Sequence, residues 1–199
     1  MTAQEPLTWR KTTPQANYLI STSPTLLSHT FINTAFESEE MYWARPLPFD
    51  QLRLLLSSSL TYGLYLILPP DLHAKPVRTA SSPSSPRTPS PTLETEFSGV
   101  DESEQLQQIG LARFITDHVT TCYLTDVYLL PEHRGGGLGK WLVECCGEHI
   151  DGLPALRRSM LMASPGQGKR FYENVLGMHD LAEEKRVVAM TTKSKWKGD

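Results

Sequence analysis

The sequence predicts an α/β fold, with a mixed central sheet and an amphipathic helix packed on it. Three observations predict it. Strand-like and helix-like segments alternate along the chain, and a glycine-rich turn near residue 136 joins a strand directly to a helix. The length of 199 residues suits one compact domain with a sizeable core. A single domain spanning 1–199 is therefore expected.

Before residue 70 the order of elements is strand, helix, helix, strand. Residues 18–21 have the composition of a short strand, and Ser23 followed by Pro24 favours the start of a helix that runs to about Phe36. Leucines predict a second helix over 49–57, and aromatic and branched residues predict a buried strand over 60–68.

Residues 76–92 contain five Pro, five Ser and three Thr, so almost nothing in them can be buried. Acidic residues follow, and the polar stretch extends over about 71–104. We expect a disordered insert there. A solvated loop is the simplest interpretation, although Ser-Pro and Thr-Pro pairs leave open phosphorylation or a scaffold that recruits partners.

Regular structure is expected to resume near Leu106. Strands are predicted over 108–116 and 122–130, and the short connector 117–120 favours an antiparallel hairpin. A helix over 138–150, a short strand over 159–163 and a late helix that ends at Gly177 complete the order.

Charge and apolar content exclude some classes of partner. A net charge of −3 and a pI near 6.1 argue against a non-specific nucleic-acid binder, because such proteins carry a basic excess. The longest apolar run, 62–68, is far too short to span a bilayer, so no membrane partner is expected. The first 20 residues lack the pattern of a secretory signal.

Three cysteines, two of them adjacent, do not make a disulfide framework, which indicates a reducing compartment. Cytoplasmic localisation, with the nucleus as an additional site, is therefore expected. The six histidines show no ligand spacing, and no metal is predicted. Cys145 and Cys146 lie on the predicted helix 138–150 and are expected to serve packing.

The segment 129–140 ends a strand and opens a helix through three consecutive glycines. A helix N-terminus presents free amides and a positive dipole, and glycines let the backbone approach a ligand closely. The turn therefore favours an anion, above all a phosphate. The simpler alternative is a merely flexible turn.

Two known phosphate signatures fail. A Walker A loop would need Gly in place of Arg134 and a Ser or Thr in place of Trp141. The dinucleotide spacing would need Gly in place of Lys140 or Leu138. The pattern that fits is Arg-x-x-Gly-x-Gly over 134–139, directly after a strand and before an amphipathic helix.

This pattern resembles the coenzyme A pyrophosphate loop of the GCN5-related N-acetyltransferase (GNAT) family. The late segment 170–178, with Phe171-Tyr172-Glu173 and then Gly177, is similar to the family's late helix, although its glycine stands five residues after the tyrosine where four is usual. Segments at 42–43, 58–65, 109–114 and 126–132 are similar to one single-domain branch of the family. The resemblance covers roughly 18–191.

The resemblance implies a mixed, mostly antiparallel central sheet flanked by helices. It also implies an N-acetyltransferase that moves an acetyl group from acetyl-CoA, its cosubstrate, directly to a primary amine of a small molecule or peptide. A catalytically silent module that binds acyl-CoA or a protein partner is the alternative. The implied pyrophosphate ligands are the Arg134 side chain and the amides of the turn: Gly135, Gly136, Gly137, Leu138, Gly139 and Lys140. A surface role for the Lys140 side chain is equally open.

The resemblance also implies that Leu129 and Leu130 bind the pantetheine arm through their backbones and that Tyr172 is the general acid for the departing thiolate. The alternative for Tyr172 is a core residue of its helix. The general base is left open among Asp126, Glu132 and His133, with Asp126 the leading candidate because a carboxylate is costly in an apolar strand unless it is hydrogen-bonded or functional. The alternative for Asp126 is a structural role, and the alternative for Glu132 and His133 is that they are ordinary surface residues.

Overall fold

The computed structural model of the protein describes residues 5–69 and 104–192. Six strands form one sheet in the order of the chain, and only the last pair, β5 with β6, is parallel. This confirms a mixed, mostly antiparallel sheet. The strands are β1 Thr8–Thr12, β2 Asn17–Ser21, β3 Leu60–Leu68, β4 Gln105–Thr116, β5 Thr121–Leu129 and β6 Arg158–Leu161.

Within the described residues four α-helices flank the sheet, and short 3-10 turns lie at Pro24–Leu26, Glu39–Met41, Pro131–His133 and Leu181–Glu183. The helices are α1 His29–Glu37, α2 Phe49–Ser57, α3 Leu138–Asp151 and α4 Gln167–Leu176. Within the described residues, no helix is both long enough and apolar enough to cross a membrane.

The sheet carries an apolar core on each face, and each core belongs to one pair of helices. The α3 and α4 core includes buried Tyr62, Phe114 and Leu142. The α1 and α2 core includes buried Ile32 and Leu52. Both faces of the sheet are thereby removed from water, which is the main contribution to folding.

Several predicted elements are confirmed. Helix α2 and strand β3 have the predicted bounds, and β4 and β5 form the predicted antiparallel hairpin. The Asp117 carboxylate holds this turn, since it accepts hydrogen bonds from the backbone N–H groups of Val119, Thr120 and Thr121. The predicted insert at 76–92 lies outside the described residues.

The predicted helix from Pro24 to Phe36 is wrong as one element. A 3-10 turn, Pro24–Leu26, is followed by extended backbone at Leu27, and α1 begins only at His29. Ser28 interrupts the helix, because its side chain caps the N–H of Phe31 while its own N–H donates to the Gln108 side chain.

One further difference lies near the start of the chain. Strand β1 is absent from the sequence prediction, because its residues alternate between exposed and half-buried on a sheet edge. Trp9 of β1 nevertheless stacks on Tyr62 at a ring distance of 5.6 Å. Regular structure resumes close to where it was expected, since β4 begins at Gln105, directly after Glu104, which accepts two hydrogen bonds from Arg10.

Candidate functional site

Strand β5 loses one neighbour halfway along its length. Its parallel pairing with β6 covers only 121–124, and the remainder, 125–129, extends beyond the end of β6 at Leu161. A bulge bends this remainder, because the register to β4 shifts between Leu111 and Arg113 and Asp126 has φ +52°. The sheet therefore opens into a wedge beside 125–129.

The backbone of Leu129 faces this wedge. The N–H of Leu130 donates to the carbonyl of Ile109 at 2.9 Å, so those two residues form a hydrogen-bonded pair of the antiparallel ladder. The next pair, Leu129 with Gly110, is then non-hydrogen-bonded, and the N–H and C=O of Leu129 point away from β4. The Leu130 carbonyl instead accepts the N–H of His133 at 3.0 Å. Of the two predicted pantetheine ligands, Leu129 is the one turned towards the wedge.

The glycine-rich turn leads from β5 to the N-terminus of α3. Gly135 and Gly137 have φ of +83° and +80°, the left-handed region that glycine tolerates best. A Cβ built on Gly135, Gly136 or Gly137 would meet nothing within 4 Å. Open space therefore borders the Cα atoms of these three glycines, where an anion could approach the main chain. The side chain of Lys140 is exposed and lies 3.4 Å from Glu144.

The guanidinium of Arg134 donates four hydrogen bonds to protein groups. Its Nε and Nη2 donate to the carbonyl oxygen of Leu129 at 2.8 and 2.7 Å. Its Nη1 and Nη2 donate to the two carboxylate oxygens of Glu40, also at 2.8 and 2.7 Å. It lies 5.6 Å from the centre of the Tyr128 ring. The side chain thus joins the turn to the 3-10 turn Glu39–Met41 after α1.

Tyr172 lies on α4, where its ring packs against the α3 core and contacts Phe171 at a ring distance of 5.1 Å. Burial raises the pKa of its phenol to about 12. The helix ends at Gly177, which has φ +62° and caps it as predicted. Cys145 and Cys146 are buried in the core below, which confirms a packing role. Burial raises the pKa of both thiols, that of Cys145 to about 12.

Asp126 is buried and all its acceptor positions face donors. Its Oδ2 accepts from Nε of Arg113 at 2.8 Å and lies 2.7 Å from Nη2 of the same group. Its Oδ1 accepts from Nε1 of Trp43 and from the Thr125 hydroxyl, both at 3.1 Å. These four contacts favour a structural role for Asp126 over the role of general base. Glu132, the next candidate, is exposed on the turn Pro131–His133.

Three residues at this site were not among those predicted from the sequence. Arg113 is a buried charge in an apolar strand, the same signal that marks Asp126, and the two together indicate an ion pair between hairpin strands. Glu40 and Trp43 carry no such signal, because their partners are 94 and 83 residues away in the chain. Within 5–69 and 104–192, no group of three or more His, Cys, Asp or Glu side chains is arranged to hold a metal ion.

Comparisons with known proteins agree with this geometry. A family model described as an acetyltransferase (GNAT) domain matches residues 100–175. A candidate acetyltransferase of Gibberella zeae is 38% identical over 179 residues, which are 90% of this chain and 86% of that protein.

Solved structures share the fold. A candidate GNAT acetyltransferase of Xanthomonas campestris is 24% identical, with 87% of this chain and 93% of that chain covered and a TM-score of 0.55. A GNAT family acetyltransferase of Streptococcus pneumoniae is 12% identical, with 96% and 98% covered and a TM-score of 0.52.

Proposed function

The chain belongs to the GNAT acetyltransferase family, and from this premise we propose that it transfers an acetyl group from acetyl-CoA directly to a primary amine of a small molecule or peptide. The open main-chain cradle at 135–137, beside the wedge along β5, carries the proposal. A phosphate ester needs such a surface, because uncovered amides at a helix N-terminus bind phosphate through hydrogen bonds and the helix dipole.

The residues at the site fit a coenzyme A molecule in two respects. A Cβ built on any of the three glycines 135–137 would meet no atom within 4 Å, so there is room for a diphosphate against the main chain of 135–140. The N–H of Leu129, turned away from β4 at the open wedge while its carbonyl accepts from Arg134, supports pairing with a carbonyl of an extended pantetheine arm. In this arrangement the pantetheine arm would lie beside the second half of β5, in line with β6, which pairs with the first half.

The bond changes balance without a covalent enzyme intermediate. The amine nitrogen forms a bond to the acetyl carbon, the carbon–sulfur bond breaks, and the amine gives up a proton. We assign the proton for the departing thiolate to Tyr172, since a phenol, with an ordinary pKa near 10 and a pKa raised by burial here, holds its proton at neutral pH. The engaged carboxylate of Asp126 supports a structural role instead of a base, and Glu132 and His133 are the base candidates near the turn.

The first test combines acetyl-CoA calorimetry with a thiol-release assay over polyamines, aryl amines, amino acids and peptides. We expect saturable binding of acetyl-CoA and thiol release with at least one amine class. Binding without release across the panel would favour the silent module. No binding of any coenzyme A species would overturn the proposal.

A further inference from the structure

The segment 38–48 connects α1 to α2, and two polar contacts hold it against the candidate site. At one contact the carboxylate of Glu40 accepts two hydrogen bonds from Arg134. At the other, Nε1 of Trp43 donates to Oδ1 of Asp126 at 3.1 Å. We call 38–48 the connecting segment. It is thereby joined both to the glycine-rich turn and to the bulge of β5.

The ion pair between Glu40 and Arg134 has a more defined geometry than an ordinary surface ion pair. Exposed pairs usually contribute little, but a bidentate guanidinium and carboxylate with further fixed partners has defined geometry. Arg134 has such partners in the Leu129 carbonyl and the Tyr128 ring. The pKa of Glu40 is lowered, first by its hydrogen bonds from Arg134, so its carboxylate is charged at neutral pH.

This geometry separates Arg134 from the role that the sequence pattern suggests. Each of its three nitrogens already donates to Glu40, to Leu129 or to both. Of its five N–H groups only one, on Nη1, is left, so a diphosphate that took two of them would have to break a bond to Glu40 or to Leu129. The Cα atoms of the three glycines, by contrast, border open space.

The connecting segment also presents aromatic surface next to the site. Tyr42 is 83% exposed and Trp43 is 48% exposed, and their rings meet edge to face at 5.0 Å. Since Trp43 is fixed to Asp126 in the bulge of β5, this pair stands beside the wedge. An acceptor that approaches the wedge from this side would contact it.

We propose that Glu40 and Arg134 are positioning residues. Together they hold the connecting segment, with its Tyr42 and Trp43 pair, against the Leu129 carbonyl. The Arg134 guanidinium thereby joins the side of the site that an acceptor would approach to the side that would bind the cofactor. The diphosphate is then held by the amides of the turn and not by Arg134. This inference rests on the proposed acetyl transfer.

The test uses the full chain with Glu40→Gln, Arg134→Gln and the double variant, and Glu39→Gln as a control on the same turn. Amide hydrogen exchange reports the connecting segment, and calorimetry with coenzyme A itself reports the cofactor side. We expect Glu40→Gln and Arg134→Gln each to speed exchange over 39–44 about tenfold, with no further gain in the double variant. The affinity for coenzyme A should stay within about threefold of wild type.

A kinetic readout separates positioning from simple support of the fold. With any acceptor found in the amine panel, Glu40→Gln should raise the KM for the acceptor and leave the KM for acetyl-CoA unchanged. The swapped pair Glu40→Arg with Arg134→Glu should restore part of the slow exchange, because the bidentate contact can re-form in reverse.

Two results would overturn the inference. Unchanged exchange in Glu40→Gln would show that this contact does not hold the segment. A stronger affinity for coenzyme A in Glu40→Gln together with a tenfold or greater loss in Arg134→Gln would make Arg134 a diphosphate ligand that competes with Glu40. Failure of the proposed function looks different, since wild type would then bind no coenzyme A while the exchange result could still hold.

Discussion

At the scale of single residues, Asp126 shows how one signal can have two explanations. A carboxylate in an apolar strand must be either paired or functional, because an unpaired buried charge is very costly. The structure pairs it with Arg113, which is itself buried one strand away. The Trp43 contact then uses the remaining oxygen. The pair fixes the bulge of β5, so its loss would affect the site through the fold.

Replacing Asp126 with Asn should lower the free energy of unfolding by about 3–5 kcal/mol, since the guanidinium of Arg113 would be left buried without its counter-charge. Urea unfolding followed by circular dichroism measures this change. Glu132→Gln is the control, because an exposed carboxylate should shift stability by less than about 0.5 kcal/mol. If Asp126→Asn were as stable as wild type, the buried pair would not be holding the bulge.

Replacing Tyr172 with Phe should lower kcat by about 10²–10⁴-fold and leave the affinity for coenzyme A unchanged, because only the proton donor is removed while the ring still packs beside Phe171. Since the phenol has a pKa of about 12, wild-type activity should lose this donor only as the pH rises towards 12. Turnover in the amine assay and calorimetry separate the two effects. Tyr123→Phe, in the paired half of β5, is the control. Unchanged turnover would remove Tyr172 from the mechanism.

At the scale of elements, local pattern was sufficient wherever an element is buried and regular. The leucines of α2 and the apolar run of β3 predicted both elements with their bounds. Strand β1 was missed because half of its side chains face water at an edge. The split before α1 depends on Gln108, which is 80 residues from Ser28. Likewise the glycine-rich turn was predictable from its spacing, whereas the partner of Arg134 was not.

The glycine-rich turn offers a test of the cradle itself. Replacing Gly136 with Val should fill the open space before the amides, and we expect the affinity for coenzyme A to fall about tenfold or more. Gly136 lacks the positive φ of its two neighbours, so the thermal midpoint without ligand should stay close to that of wild type. Gly136→Ala should have a smaller effect in the same direction. Full affinity in the Val variant would place the diphosphate elsewhere.

At the scale of the whole molecule, the two faces of the sheet are covered by different kinds of side chain. The face below α1 and α2 contains the α1 and α2 core, which includes Leu111. At the edge of this core, Tyr128 lies beside Arg134. The face below α3 and α4 contains tyrosines and cysteines with few polar partners. The hydroxyl of Tyr62 is buried without a hydrogen-bond partner among the described residues, and burial raises the pKa of its phenol. At alkaline pH these groups stay neutral only while the fold is intact.

Stability should therefore fall at alkaline pH. Burial raises the pKa of the Cys145 thiol and the Tyr172 phenol to about 12 each, and it also raises the pKa of Cys146, Tyr62 and Tyr65. In the unfolded chain thiols ionise near 8.5 and phenols near 10. Above those values the unfolded chain binds fewer protons than the folded one, so each group lowers stability by up to about 1.4 kcal/mol per pH unit. The decline should begin at about pH 8.5 with the thiols and steepen above about pH 10.

Urea unfolding between pH 7 and 11, with phenolate absorbance recorded alongside, measures this dependence. The folded protein should show fewer ionised tyrosines than its sequence holds until it unfolds, because the buried phenols keep their protons. Tyr62→Phe removes one of these phenols, so its stability should fall less steeply above pH 10 than that of wild type. A free energy of unfolding that stays level up to pH 11 would mean that water reaches these side chains and that the α3 face of the sheet is not sealed.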